Sequence, residues 1–301
     1  MPKLGRYSPI LNSVFFLYKT KDDAEKGLDP QGSGVLIAVP SSDDKNWFHI
    51  HGITNWHVAV DYIPAPCIRI NTRCGKGKIF DFDPSDWICK EDYYDIAISP
   101  PLLLNPETEI FTPLEVNTFF LTQEQELKDE IGPCDDVFMV GLFVDDVRNE
   151  IYAPSFRFGH ISLMNAQVKQ VTGYRGRSIM LDMNSRTGFS GSPVFVFRTL
   201  GSHFMEQALA GQVLTGGGHY MKLLGIHWGQ VFEKWKIETI PKGNILLKEA
   251  KNSLALEGQF ILGLSGMTYV IPSACIKEML DLPELSSLRT QGTRLNLIRS
   301  S

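Results

Sequence analysis

Three segments of the chain bring a histidine, a carboxylate and a serine into one order. The first is Thr54-Asn55-Trp56-His57-Val58, behind the apolar run Gly34–Val39 and a second run ending at His51. The second is Tyr94-Asp95-Ile96-Ala97-Ile98, and the third is Thr187-Gly188-Phe189-Ser190-Gly191-Ser192-Pro193. A serine hydroxyl is a poor nucleophile until a neighbouring imidazole takes its proton. The imidazole needs a buried carboxylate that fixes its tautomer and stabilises its charged form. Acyl transfer also needs backbone N–H groups already aimed at the developing oxyanion. Gly188 and Gly191 bracket Ser190 and permit the tight turn that such donors require. Each string alone is a weak signal. Together, each at the end of a predicted strand, they point to acyl transfer by Ser190, with His57 as base and Asp95 as its orienting carboxylate. Asp92 is a nearby rival for the carboxylate, but it lacks an apolar run directly behind it.

Positioning these groups falls to β-structure. Short runs rich in Val, Ile and Phe are bounded by Gly, Pro, Asn and Asp. Six precede a proline-rich break at Ser99–Pro113: Val14–Tyr18, Gly34–Val39, Phe48–His51, Cys67–Ile70, Lys78–Phe82 and Asp95–Ser99. Six follow it: Asp136–Leu142, Phe156–Ser162, Ser178–Met183, Ser192–Phe197, Lys222–Trp228 and Met267–Ile271. This count predicts an all-β fold of two six-stranded barrels. The N-terminal unit covers residues 1–105, with His57 and Asp95. The C-terminal unit covers 106–280, with Ser190, and a tail runs over 281–301. Long excursions at 198–221 (with Gly216-Gly217-Gly218) and at 230–266 interrupt the second unit. Helical pattern is confined to Gln123–Glu130, Asn244–Leu256 and Ser273–Leu280, the last with Ser273 as N-cap.

A chain of 301 residues can bury a core without disulfides or metals. With 43% hydrophobic and 21% charged residues, disorder and coiled coil are excluded. The 29 basic residues against 34 acidic ones leave a net charge of −5, which argues against a nucleic-acid partner. Five cysteines without a C-x-x-C string form neither a disulfide framework nor a zinc site, so reduced, mostly buried thiols in the cytoplasm are expected. No apolar run approaches the ~18 residues of a membrane span. The run Ile10–Leu17, broken by Asn12 and Ser13, reads as a first strand and not as a secretory leader. His49 and His51 share one strand face, but no third ligand is paired with them, so no metal is expected. Cys74-Gly75-Lys76-Gly77-Lys78 lacks phosphate-loop spacing and predicts a hairpin turn within a solvated basic cluster that includes Arg73. No cofactor is expected.

The three segments resemble those of the trypsin-like, chymotrypsin-fold serine peptidases. In that family the His lies in T-[AN]-x-H-V, the Asp in D-I-A-[LI] and the Ser in G-x-S-G-x-P; here these are His57, Asp95 and Ser190. The resemblance covers roughly Val14 to Leu280 in strand order. It implies a serine endopeptidase acting on a protein or peptide substrate through an acyl-enzyme, with an oxyanion hole formed by the N–H groups of Gly188 and Ser190. Leu224-Gly225-Ile226-His227-Trp228-Gly229, with G-S-P after the serine, is similar to bacterial glutamyl endopeptidases. Tyr269-Val270-Ile271-Pro272-Ser273 resembles the HtrA-like branch, although no PDZ-like segment is expected after it.

By the same resemblance His227, Trp228 and Gly229 line the substrate pocket, and Ser185 offers a hydroxyl on the opposite wall. The His227 imidazole would then donate a hydrogen bond to a substrate carboxylate, its charged form favoured when that acid binds, so cleavage after Glu is expected, with Asp or Gln as weaker options and Gln the serious rival. Asn184 stands where trypsin has its pocket Asp, so a Lys or Arg preference is not expected. An internal Ile-Val-type activation site is also missing. Two further readings stand beside this one. In the first, the protease is latent and a regulatory protein partner moves the 230–266 insertion. In the second, the chain is a non-catalytic peptidase-like interaction module.

Overall fold

Runs in which every residue is apolar, such as Val35-Leu36-Ile37 and Val137-Phe138-Met139-Val140, become strands buried on both faces. Successive side chains on a strand point to opposite sides, so each such strand serves two cores. The computed structural model describes residues 8–44, 47–142, 154–198, 220–236 and 260–290. Its N-terminal unit holds β1 (Val14–Tyr18), β2 (Gly32–Pro40), β3 (Phe48–Thr54), β4 (Cys67–Asn71), β5 (Gly77–Phe80), β6 (Ala97–Ile98) and β7 (Leu114–Glu115). The sheet runs β5-β4-β1-β2-β3-β6, and β7 joins parallel to β2 beyond the end of β1. The C-terminal unit holds β8 (Asp136–Gly141), β9 (Ser155–Lys169), β10 (Arg175–Asp182), β11 (Pro193–Arg198), β12 (Tyr220–Lys236) and β13 (Phe260–Pro272). These close a barrel in the order β10-β13-β12-β11-β8-β9.

All twelve expected strands are present, in two sheets of the expected all-β fold. The first sheet has seven strands where six were expected. β7 was missed because two residues carry no periodic signal. Single bridges at Thr72–Glu109 and Ile88–Ile98 tie neighbouring segments to the first sheet. The proline-rich break lies against this sheet: Arg73 N–H donates to Thr108 O and Ile110 N–H to Asn71 O, before β7 pairs with Ile37 and Ala38.

Three of the four apolar clusters among the described residues position the two sheets. Val137, Met139, Val194 and Val196 fill the barrel with Leu181, Leu224 and Val270. Leu36 packs with Phe15, Leu17 and Ile68 under the first sheet. The opposite faces of the same strands meet between the units, where Val35, Ile37 and Ile53 pack with Phe138, Val140, Phe195, Ile226 and Ile276. That shared core holds the two units at a fixed spacing, and the cleft described below lies between them.

The helix Gln123–Lys128 carries a capping box between Thr122 and Gln125. The helix Ser273–Leu280 is also present, but Ser273 does not cap it. Pro272 is the N-cap, and the Ser273 hydroxyl donates to Leu121 O and accepts from Leu121 N–H. A long-range backbone partner thus displaces the local capping bond. The excursion at 230–266 is not all loop, since 230–236 and 260–266 continue β12 and β13. The expected helix Asn244–Leu256 and the glycines 216–218 lie outside the described residues. Residues 283–290 of the tail are helical, with Leu285 buried against the shared core. Cys67 and Cys275 are buried, Cys89 is half-buried, and Cys74 and Cys134 are exposed; all five are free. No helix among the described residues is long and apolar enough to cross a membrane.

Candidate active site

β3 and β6 run antiparallel, with Ile53 opposite Ile98 and Thr54 opposite Ala97. The chain leaving β3 therefore passes the chain entering β6, which brings His57 beside Asp95. His57 lies in the single-turn helix Trp56–Ala59. Asp95 is fully buried and accepts twice from His57: from its backbone N–H at Oδ1 (2.9 Å) and from Nδ1 at Oδ2 (2.6 Å). A carboxylate only accepts, so the imidazole proton sits on Nδ1 and Nε2 is left as an acceptor. Ser190 Oγ lies 3.0 Å from that Nε2. Asp92, the rival carboxylate, is exposed.

Two residues that sequence reasoning missed hold Asp95. Its N–H donates to Gln170 Oε1 (2.7 Å), and its carbonyl accepts from Asn55 Nδ2 (2.9 Å). Gln170 lies in the turn between β9 and β10, so the second barrel helps to place the carboxylate of the first unit.

The serine turn is held from across the cleft. Phe189 N–H donates to Arg186 O (3.3 Å), with Gly188 at φ +93°. A four-residue turn with a left-handed third residue is type II and selects glycine there. Ser33, on β2, donates from its backbone N–H to Ser190 O (2.9 Å) and from its hydroxyl to Gly188 O (2.9 Å). Among the described residues, no acceptor is bonded to the N–H of Gly188 or of Ser190. Gly191, at φ +81°, cannot carry a side chain: a Cβ there would meet Ser33 O at 2.0 Å. The signal for Ser33 was its position between two glycines in Gly32-Ser33-Gly34, which reads equally well as a plain strand start.

A cleft of about 330 Å³ opens beside this group, with Ser190, Gly188, His227, Gly229 and Gln230 in its lining. Among the described residues, Arg186 is the charged residue of the lining apart from its histidines, and no carboxylate belongs to it. Trp228, expected in the lining, does not join it. Its ring stacks on Tyr269 and its Nε1–H donates to Ser178 Oγ (3.2 Å). Ser185 stands behind the lining, with its Oγ 2.9 Å from His227 Nε2 and accepting from Gln230 Nε2 (2.8 Å). Sequence reasoning overlooked Gln230 and Arg186.

His227 is buried beside the serine turn. Burial lowers its pKa to about 3, the charge of His57 adds to the effect, and the Phe189 carbonyl opposes it. Burial thus favours the neutral ring in the absence of a bound acid. His51 is held likewise, its pKa lowered by burial to about 4 against the favourable Ser99 carbonyl, which lies 2.8 Å from Nδ1.

These two rings predict the acid sensitivity of the fold. The unfolded chain takes up protons on both as pH falls through about 6.5, whereas the folded protein does so only far lower. Stability contributed by the neutral rings is therefore complete above that value and declines as pH falls towards 4. The slope approaches about 1.4 kcal/mol per pH unit for each ring. Urea midpoints near pH 7.5 and pH 5 measure it, with the lower midpoint expected at pH 5 and a smaller difference in His51→Gln. An unchanged midpoint would contradict the neutral rings.

No protein-family model matches the chain, and no curated protein matches it. Solved structures do. One is the apo form of the MamO protease domain from Magnetospirillum magneticum, 15% identical, with 92% of this chain and 100% of that chain covered and a TM-score of 0.50. Another is the active form of the Rv3671c protease from M. tuberculosis, 14% identical, with 93% and 86% covered and a TM-score of 0.48. An HtrA-type protease with a decapeptide is 16% identical, with 91% and 63% covered and a TM-score of 0.47. At these identities the likeness is one of fold: this is the two-barrel fold of chymotrypsin-like serine protease domains.

Proposed function

We propose that the chain is a serine endopeptidase whose triad is Ser190, His57 and Asp95. The carrying observation is the hydrogen-bonded line from Asp95 Oδ2 through the His57 ring to Ser190 Oγ, at 2.6 and 3.0 Å. In this reading the N-terminal unit supplies His57 and Asp95 and, with β7 on its sheet, runs to Glu115 and not only to residue 105, while the C-terminal unit, up to residue 280, supplies Ser190. Nε2 of His57 takes the hydroxyl proton as Ser190 Oγ attacks the substrate carbonyl carbon. The oxyanion is received by the N–H groups of Gly188 and Ser190, both without another acceptor among the described residues. The type II turn and the Ser33 bonds keep those peptides aimed without rearrangement, which is where such donors gain their effect. His57 then protonates the leaving amine, and water, deprotonated by the same ring, releases the acyl group. These steps use side chains, backbone and water alone.

The pocket suits an acidic or amide side chain before the scissile bond. Gln230 and His227 offer hydrogen bonds from the lining, with Ser185 holding both from behind, Arg186 adds positive charge at the cleft, and among the described residues the lining has no carboxylate to receive Lys or Arg. Glu is the proposed preference, with Gln as the alternative. A matched peptide set differing only at that residue tests it: Glu is expected to lead, and His227→Ala to flatten the profile. Preference for Lys, Arg or large apolar residues would refute this assignment, as would an unaltered profile in the variant.

The proposed setting is a reducing compartment, the cytoplasm, in keeping with five free cysteines. A fluorophosphonate probe tests the activity itself. Labelling of the purified protein at Ser190 is expected. Labelling that requires an added protein partner would mean a latent protease, and no labelling under either condition would mean a binding module.

A further inference from the structure

The hairpin of β4 and β5 lies beside the helix Lys21–Lys26 at the edge of the first sheet. Between them is a cavity of about 710 Å³, which shares no lining residue with the catalytic cleft. Five basic side chains line it, Lys21, Lys26, Arg69, Lys76 and Lys78, against one carboxylate among the described residues, Glu25. The whole chain carries a net charge of −5, so this concentration of positive charge is local. Lys26 is taken by Asp22 at 2.5 Å. Lys21, Lys76 and Lys78 are exposed and make no ion pair among the described residues.

Arg69 forms the floor. It lies on β4 opposite Ile79 of β5 and is only 6% exposed. Its guanidinium donates to the carbonyls of Ala24 and Glu25 in the last turn of the helix, which fixes it in place. Gly77 makes the room. A Cβ there would stand 2.7 Å from Arg69 Nε and 2.9 Å from its Cζ. Gly77 belongs to β5 and has no left-handed angle, so the guanidinium and not the backbone demands glycine. Arg73 turns away to the Pro106 carbonyl (3.2 Å) and does not join the lining. The sequence predicts a solvated basic turn at this hairpin. Folding instead gathers cations from three segments around one space: Lys21 from the helix, Arg69 from β4, Lys76 and Lys78 from the hairpin.

We propose that this cavity binds a small ligand carrying two or more linked phosphate groups. Like charges held around one space repel, and a compact polyanion relieves that repulsion. Linked phosphates bring several negative charges within reach of all four cations. Their oxygens accept charge-assisted hydrogen bonds from lysine ammonium groups, which bind phosphate as point charges. The cavity also has the size of a small-molecule site. An acidic peptide spreads its carboxylates along an extended chain and cannot gather them at one concave site in that density. The site is separate from the catalytic cleft, and its ligand is no substrate of the proposed peptidase.

Cys74 supplies a local reporter, because its thiol is exposed and belongs to the lining. Cys134 is exposed outside the cavity and serves as the control. Tripolyphosphate, inorganic phosphate and ATP are titrated calorimetrically, in metal-free buffer, into wild type, K76Q/K78Q and Lys21→Gln. Alkylation of each cysteine by iodoacetamide is followed by peptide mapping. Tripolyphosphate is expected to bind about tenfold or more tighter than inorganic phosphate, and K76Q/K78Q to lose about tenfold or more of that affinity. Lys21→Gln should weaken binding too, from a different segment, and added salt should weaken it in wild type. Bound tripolyphosphate should slow alkylation of Cys74 and leave Cys134 unchanged. ATP binding tighter than tripolyphosphate would assign a nucleotide, and ATP binding no tighter would assign the phosphate chain alone; either supports the site. All three lysines are exposed, so the variants should unfold thermally as wild type does. Absence of saturable binding, equal affinity for phosphate and tripolyphosphate, undiminished binding in both variants, or equal protection of the two cysteines overturns the proposal. So does tighter binding of an oligoglutamate peptide, since the surface would then serve an acidic protein partner.

Discussion

Ser190→Ala is expected to lower peptide turnover by up to ~10⁶, the scale seen when a catalytic serine is removed from a complete triad. The change removes the one oxygen that faces His57 Nε2 at 3.0 Å. It leaves the Ser190 backbone in place, with its carbonyl held by Ser33 N–H. Gly188 and Gly191 keep their left-handed conformations, and no large side chain is lost from the core. Thermal unfolding of the variant should therefore match wild type, while cleavage and fluorophosphonate labelling both disappear. Ser192 is no substitute nucleophile, because it is fully buried. Wild-type cleavage by Ser190→Ala, in material free of other proteases, would disprove the assignment.

Asp95→Asn is expected to fold and to lose about 10⁴ in turnover. The loss follows from the two bonds that Asp95 makes to His57. Both are accepted, one from the backbone N–H and one from Nδ1. An amide has one accepting oxygen and one donating nitrogen. If its oxygen keeps the backbone N–H, its NH₂ faces Nδ1 and forces the imidazole proton onto Nε2. The ring then points a proton at Ser190 and cannot accept one. If the amide turns over, its NH₂ opposes the His57 N–H and two donors collide. Either arrangement silences the base without unfolding the site. The exposed Asp92 makes no such bonds, and Asp92→Asn should be silent; the reverse pattern would mean that Asp95 is not the orienting carboxylate. Combining Asp95→Asn with Ser190→Ala should cost little more than Ser190→Ala alone, because groups acting as a unit are not additive.

Both predictions concern residues legible from the sequence. His57, Asp95 and Ser190 lie where strands end, and strand ends were readable because apolar runs and turn residues act over a few neighbouring positions. Gly188 and Gly191 were readable for the same reason: only glycine adopts those backbone angles without strain. What escaped the sequence depends on atoms brought together from distant positions. Ser33 grips the Gly188 carbonyl across 155 positions of chain, and Gln170 holds the Asp95 N–H across 75. Neither residue type at those positions announces such a partner. Ser273 had the local chemistry of a cap and took Leu121 instead.

His227 carries the sharpest contrast. The sequence could identify an imidazole on the pocket strand, but not its charge, since that is set by burial from every side. Trp228 likewise turned from the cleft to Tyr269 and Ser178, while Gln230 and Arg186 entered it. Local sequence determined which segments became strands and turns, and therefore which groups could do chemistry. Tertiary packing decided their protonation and partners, because desolvation and long-range hydrogen bonds exist only once distant segments have excluded water between them.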